Sequence, residues 1–183
     1  MCCTRSPACV RVLNQRFPSG LGEHCRYHAA GATMNTQFPE LDSLKDRWLL
    51  GEVPLADGTL FVRLNQAAAP YVADPRLSVK LGFAIPFNSQ PEGGVPNPDE
   101  NGTLASLEDM IRDAVSAATT GIHALTLTAP DAKELVFYIA EGADIGTLHE
   151  SLRAQSSTHD VQCRATREPE WDSYRGFLPS QDA

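Results

Sequence analysis

Strands and helices in the order strand, helix, strand, strand, helix, strand predict an α+β domain. Three features carry that reading: a clean two-residue alternation over 77–87, two amphipathic helical stretches, and an aromatic tail too short to fold alone. In the first, Leu77, Val79, Leu81, Phe83, Ile85 and Phe87 point one way and Ser78, Lys80, Gly82 and Ala84 the other. Such a period marks a half-buried strand with a wholly apolar face.

Thr103 is positioned to cap a helix whose stripe is Leu104, Leu107, Met110, Ile111, Ala114, Val115 and Ala118. Spacings of three and four place these on one helical face, and Gly121 suits the residue just past the helix end. Strands at 122–129 and 133–140 then flank Pro130-Asp131. Asp144 caps a second helix bearing Ile145, Leu148 and Leu152, and 160–167 is the last strand. Upstream, apolar runs at 48–54 and 59–65 enclose Ala56-Asp57-Gly58, a hairpin signal because Asp-Gly tolerates the positive φ of a tight turn. Residues 42–48 read as a short helical turn, 65–74 as a connector, and 88–102, dense in Pro, Gly and Asn, as a long loop. The whole order is that of the ferredoxin-like, split-βαβ (βαββαβ) sandwich. It is preceded here by a β-hairpin and followed by a C-terminal aromatic turn. Strands 77–87 and 133–140 should be central, with both helices on one face. Trp171, Tyr174 and Phe177 should dock back onto the domain as structural residues.

At 183 residues the chain suits one domain with appendages: a disordered or poorly ordered extension over 1–41 and a single α+β domain over 42–180. The first 33 residues hold four Arg against one Glu, a net of +3; the rest hold 11 basic and 22 acidic residues, a net of −11. Cys2, Cys3, Cys9 and Cys25 cluster in the same stretch without a C-x-x-C pair, so no zinc-site spacing emerges. The text from Met34 onward reads like a natural start. No apolar run approaches the roughly 20 residues needed to span a bilayer, and no export-signal core of about 7–15 apolar residues is present. The expected compartment is the cytoplasm, with no membrane association. An acidic body disfavours direct binding to nucleic acid, whose phosphates call for Lys and Arg; it suits docking on a basic protein surface.

Candidate chemistry is sparse. His123, His149 and His159 are available, but no turn of the Gly-x-Ser-x-Gly type presents a nucleophile, and no phosphate-cradling glycine loop occurs. Cys163 and His123 fall on the predicted core face as packing residues, while His149 and His159 read as solvated. Neither a catalytic constellation, a metal site nor a cofactor is predicted. With Leu77, Leu125, Leu135 and Val161 set against the helices, the opposite sheet face carries Lys80, Thr126, Thr128, Glu134, Tyr138, Gln162, Arg164 and Thr166. Lys80, Thr128, Glu134, Tyr138 and Arg164 are the candidate binding residues there. The hairpin and the Trp171 tail are expected to cover part of that face.

The stretch from Ile122 to Tyr138, with Thr126, Thr128 and Lys133-Glu-Leu-Val-Phe-Tyr138, resembles the "T…G-x-R-E-x-x-F-Y" segment of the bacterial domain of unknown function 695. The closing Glu168-Pro-Glu-Trp-Asp-Ser-Tyr-Arg-Gly-Phe-Leu-Pro179 resembles that family's "D-P-x-W-x-x-Y-x-x-F-L-x-P" ending. Ala132-Lys133 stands where Gly and Arg are common, and Glu168 replaces the usual Asp. The matching signature positions are Glu134, Tyr138, Trp171 and Tyr174. This family is in turn similar, in its closing motif and topology, to the regulator of ribonuclease activity B family: small, acidic, ferredoxin-like inhibitors of an endoribonuclease. The resemblance implies a non-catalytic regulator that binds a protein with a basic surface, such as a nucleic-acid-processing enzyme. The alternative is a small-molecule-binding or enzymatic domain using the polar sheet face. The sequence leaves the oligomeric state open.

Overall fold

A computed structural model describes residue 41 and residues 45–89 and 95–178; the proposed extension, the first half of the 42–48 turn and the end of the tail lie outside these. The described residues form an α+β fold around one antiparallel six-stranded sheet. Its strands are β1 (Trp48–Leu55), β2 (Gly58–Asn65), β3 (Val79–Pro86), β4 (Gly121–Thr128), β5 (Ala132–Ile139) and β6 (Gln162–Arg167). In space they run β1-β2-β4-β5-β3-β6, so β3 and β5 are both flanked on each side. Helices α1 (Pro98–Ala118) and α2 (Ile145–Gln155) bury their stripes, Leu104, Leu107, Ile111 and Val115 with Leu148 and Leu152, against one face of β3, β5 and β6. A second apolar cluster occupies the other face, where Leu60, Val62, Leu64, Leu125, Leu127, Val136 and Tyr138 meet Trp171 and Tyr174 of the tail. The hairpin extends the sheet beside β4, so it covers neither face; the tail does.

Several boundaries move from the sequence expectation. Helix α1 starts at Pro98, capped by Asn97, whose side chain accepts from Glu100 N, well before Thr103. Asn-Pro-Asp-Glu is a start signal in its own right, with Pro at the first helical position and acids in the first turn; the Pro and Gly density around it concealed this. The 65–74 connector contains a 3-10 helix, Gln66–Tyr71, capped by Asn65. Residues 45–47 are irregular rather than helical. Leu77 precedes β3 and joins the tail-side cluster, not the helix side.

The main correction is on β4. His123 pairs with Phe137 but Leu125 with Val136, so Ala124 is an extra residue, a β-bulge. An inserted residue reverses the facing of everything beyond it. Leu125 and Leu127 therefore turn to the tail side. Thr126 and Thr128, opposite Leu135 and Lys133, turn to the helix side, away from the other candidate binding residues.

The tail is held by Trp171, which is fully buried and stacked flat on Tyr138 with ring centroids 3.8 Å apart. Its indole N–H donates to the Leu77 carbonyl at 2.8 Å. Tyr174 meets the Trp171 ring edge-on and donates its hydroxyl to Asn65 O at 2.8 Å. Phe177 is half-buried against the same cluster. Trp171 adopts a left-handed backbone (φ 56°) ahead of the single turn α3 (Asp172–Arg175), which costs roughly 1–3 kcal/mol for a residue with a side chain and persists because the buried ring outweighs it. Trp171→Ala should destabilise the domain by about 3–5 kcal/mol, read as a lower urea midpoint. An unchanged midpoint would mean that the tail is not part of the core.

Candidate functional site

The polar face predicted as a binding surface turns out to be a clasp. Lys80 on β3 and Tyr138 on β5 are register partners, and the tail lowers Glu168 between them. Glu168 Oε2 lies 2.6 Å from Lys80 Nζ, and Tyr138 donates its hydroxyl to Oε1 at 2.6 Å. Ser173 donates its backbone N–H to Oε1 and its hydroxyl to Oε2, each at 2.8 Å, and accepts from Lys80 Nζ at 2.8 Å. Burial pushes the Glu168 carboxyl upward, but the hydrogen bonds from Lys80 and Tyr138 hold it below the usual carboxylate range. Burial lowers the Lys80 ammonium while Glu168 opposes that shift, and burial together with Glu168 pushes the Tyr138 phenol far up. Charge-assisted bonds of this kind are the strong ones, and here four donors converge on one carboxylate.

Of the five candidate binding residues, Lys80, Glu134, Tyr138 and Arg164 share this face, and the charges of Glu134 and Arg164 both act on Lys80. Thr128 does not join them; the β4 bulge sends it to the other side. The space over Tyr138 that a ligand would need is filled by Trp171. Sequence reasoning missed Glu168 as the hub and Ser173 altogether. The signal was available in the i, i+5 spacing of an acid and a hydroxyl around the Trp, beside a strand carrying a lone Lys.

The helix side carries a second polar cluster. Glu108 of α1 bridges Lys133 Nζ at 2.5 Å and Arg63 Nη2 at 3.1 Å. Burial raises its carboxyl, yet Lys133 and then Arg63 hold it below the usual range. The Arg63 guanidinium lies 4.7 Å over the Trp48 ring. Trp48 in turn meets His123 edge-on at 5.0 Å, and His123 stacks on Phe137 at 4.6 Å. The core placement expected for His123 holds.

Two other histidines differ from expectation. His149 bonds the Val161 carbonyl at 2.8 Å. His159 is buried and its Nε2 lies 3.2 Å from Glu100 Oε1. Glu100 also accepts from Asn88 N at 2.6 Å and from the Ser89 hydroxyl, so one carboxylate at the start of α1 ties together two loop ends bordering an open cleft of about 590 Å³. Cys163 is half-buried against the helix-side core, and burial pushes its thiol up to about 12, which makes it a packing residue rather than a nucleophile.

The exposed surface is most distinctive at β1. It is an outer strand, and Leu49, Leu50 and Val53 are 37%, 73% and 38% exposed. The opposite edge, β6, presents the exposed Arg164 and Arg167. Charged edges resist pairing with other chains, whereas apolar ones invite it. Leu50 stands opposite Arg63, and Leu49 opposite Leu64, so apolar side chains flank this outer edge on both sheet faces.

The burial of His123 has a measurable acid signature. Desolvation lowers its pKa to about 4, with Glu108 opposing and Arg63 and Arg112 adding to the effect. In the unfolded chain it titrates near 6.5. The unfolded state therefore binds the proton first, and the stability that His123 confers is complete above the unfolded value and lost as pH falls toward 4. Between pH 7.5 and 4 this amounts to about 3 kcal/mol. Urea titrations should show His123→Phe losing less stability than the native chain over that range by about this amount; equal losses would contradict the buried neutral ring.

Among the described residues no helix is long and apolar enough to cross a membrane. No curated protein and no solved structure matches the chain. It does match a family of unknown function over residues 46–179, which takes in the sheet, both long helices and the aromatic tail, and the chain accordingly belongs to that family, DUF695.

Proposed function

We propose that this domain is a non-catalytic regulator that binds another protein through the β1 edge. The observation that carries the reading is the asymmetry of the sheet: among the described residues one edge is apolar and exposed, the other armed with arginines. Edge strands capture extended segments by main-chain pairing, with alternate side chains supplying specificity. Pro54 lacks an N–H, so pairing would run along 48–53. The tail clasp supports the same reading, because the face otherwise available to a ligand is occupied by the chain itself.

The strand order β4-β5-β3-β6 with α1 and α2 on one side supports the ferredoxin-like arrangement, here widened by the hairpin. A formal charge of −8 supports a partner with a basic surface. The resemblance to ribonuclease regulators favours a nucleic-acid-processing enzyme of the bacterial cytoplasm.

Leu50→Lys tests this directly. Leu50 is 73% exposed, so the change should alter stability by no more than about 0.5 kcal/mol. The native chain should retain a stoichiometric host protein whose binding weakens with salt, and Leu50→Lys should lose it by roughly tenfold or more. Equal capture by both chains, or none by the native chain, would sink the edge-docking reading.

A further inference from the structure

Among the described residues β1 pairs with β2 alone and ends the sheet. The register decides which of its main-chain groups turn outward. In an antiparallel pair, opposite residues alternate between those that exchange hydrogen bonds and those that do not. Gln66 N donates to Arg47 O at 2.7 Å, one step beyond the pair of Trp48 with Asn65. Arg47 therefore bonds toward β2, and Leu49, Gly51, Val53 and Leu55 follow it. Trp48, Leu50, Glu52 and Pro54 turn their main-chain groups away from β2. Pro54, which has no N–H, gives up no bond to β2 by standing there. The outward donors of the strand are thus those of Trp48, Leu50 and Glu52.

A second β1 running antiparallel must set outward residues opposite outward residues, which leaves few two-fold registers. Centred on Glu52, the pairing sets two Glu52 carboxylates face to face, and like charges directly opposite are destabilising. Centred on Leu49, it sets Asp46 against Glu52. Centred on Gly51, it leaves each Trp48 facing a Pro54 with no donor to return. Centred on Leu50, it matches every outward donor: Leu50 meets the second copy's Leu50, and Trp48 meets Glu52 in both directions.

The side chains fit this last register. Leu50, the most exposed large apolar residue of the strand, meets its own copy. Glu52 comes opposite Trp48, whose ring carries the Arg63 guanidinium at 4.7 Å, so a carboxylate approaches a cation. On the other face the partly exposed Leu49 comes opposite Gly51, where nothing stands within 4 Å of the missing Cβ. Helices α1 and α2 pack over β3, β5 and β6 and leave the β1 edge clear of helix.

We propose that β1 pairs with β1 of a second copy about a two-fold axis at Leu50, joining two six-stranded sheets into one. Self-pairing and capture of another protein are then mutually exclusive. The inference rests on the edge-docking reading above and names the occupant of the edge when no other partner holds it. A two-fold contact uses the same strand of both copies, so the pair closes and does not grow into a filament.

Sedimentation equilibrium of the full chain over a concentration series reads the pairing. The expected result is a monomer–dimer equilibrium. Leu50→Lys, which sets two ammonium groups face to face, should weaken it roughly tenfold or more. Val95→Lys, at an exposed apolar position ahead of α1, should leave it unchanged. Leu50→Cys in a glutathione redox buffer reads the register. Directly bonded pairs have Cα atoms about 5.5 Å apart, within disulfide reach. Peptide mapping should therefore find residue 50 joined to residue 50, whereas Glu52→Cys, facing Trp48, should give no link of residue 52 to itself. A chain that stays monomeric, a dimer indifferent to Leu50→Lys, or a preferred link between the two copies of residue 52 overturns the proposal. Capture from host lysate separates it from edge docking. The linked Leu50→Cys dimer should retain no host protein and regain it on reduction; undiminished capture by the linked dimer overturns the exclusivity. A dimer linked at residue 50 whose reduced form captures nothing sinks edge docking and leaves self-pairing standing, while a monomer that captures a host protein does the reverse.

Discussion

The seat of Glu168 and Trp171 on the sheet is the constraint on which the rest of the fold depends. A sheet with helices on only one side leaves its other face to water unless something covers it. Here the covering is a short segment at the end of the chain, and its grip combines two kinds of force. The stacked rings of Trp171 and Tyr138 remove apolar surface from water. The Glu168 carboxylate, collecting donors from Lys80, Tyr138 and Ser173, fixes where those rings sit. Each makes the other affordable: the ring excludes water from the charges, and the charges give the ring one position instead of several. The left-handed backbone at Trp171 is a strain that this double grip holds in place.

The same arrangement turns family-signature residues into architecture. Tyr138, Trp171 and Tyr174 touch one another or share partners, and no bound molecule is required to explain their presence. Among the described residues, what the clasp leaves uncovered includes the outer strand of the hairpin, with Leu50 exposed on it. The Glu108 bridge between Lys133 and Arg63 ties α1 to β5 and β2, so the hairpin is braced from the helix side. Buried ion pairs contribute little net stability against apolar substitutes but penalise wrong arrangements heavily. That property suits a position where two extra strands must join the sheet in a single register.

Alternation and helical stripes were enough to place six strands and both long helices in order, because each depends on near neighbours in the chain. The Asp144 cap, the apolar face of β3 and the hairpin are of this kind, and so is the docking of the tail, since three aromatics in a short segment have few ways to escape water. The grouping of Lys80, Glu134, Tyr138 and Arg164 on one face also followed from a two-residue period alone. What that face does could not follow from it, because the occupant of the face is itself part of the chain.

Tertiary structure alone decided the remainder, for identifiable physical reasons. One extra residue in β4, visible only in its register with β5, reverses Thr126 and Thr128 without leaving a mark in the local pattern. His159 and His149 look solvated in a polar context; packing against Glu100 buries His159, and the Val161 carbonyl gives the half-buried His149 its partner. The partners of Glu168 are separated from it by 88 residues on β3 and 30 on β5, a convergence that no local period encodes. The sequence by itself determined which segments are strands and helices and which faces are apolar, because those follow from short-range sterics and hydrophobicity. Which polar groups meet, and which stay open to a partner, was settled only when distant segments packed together.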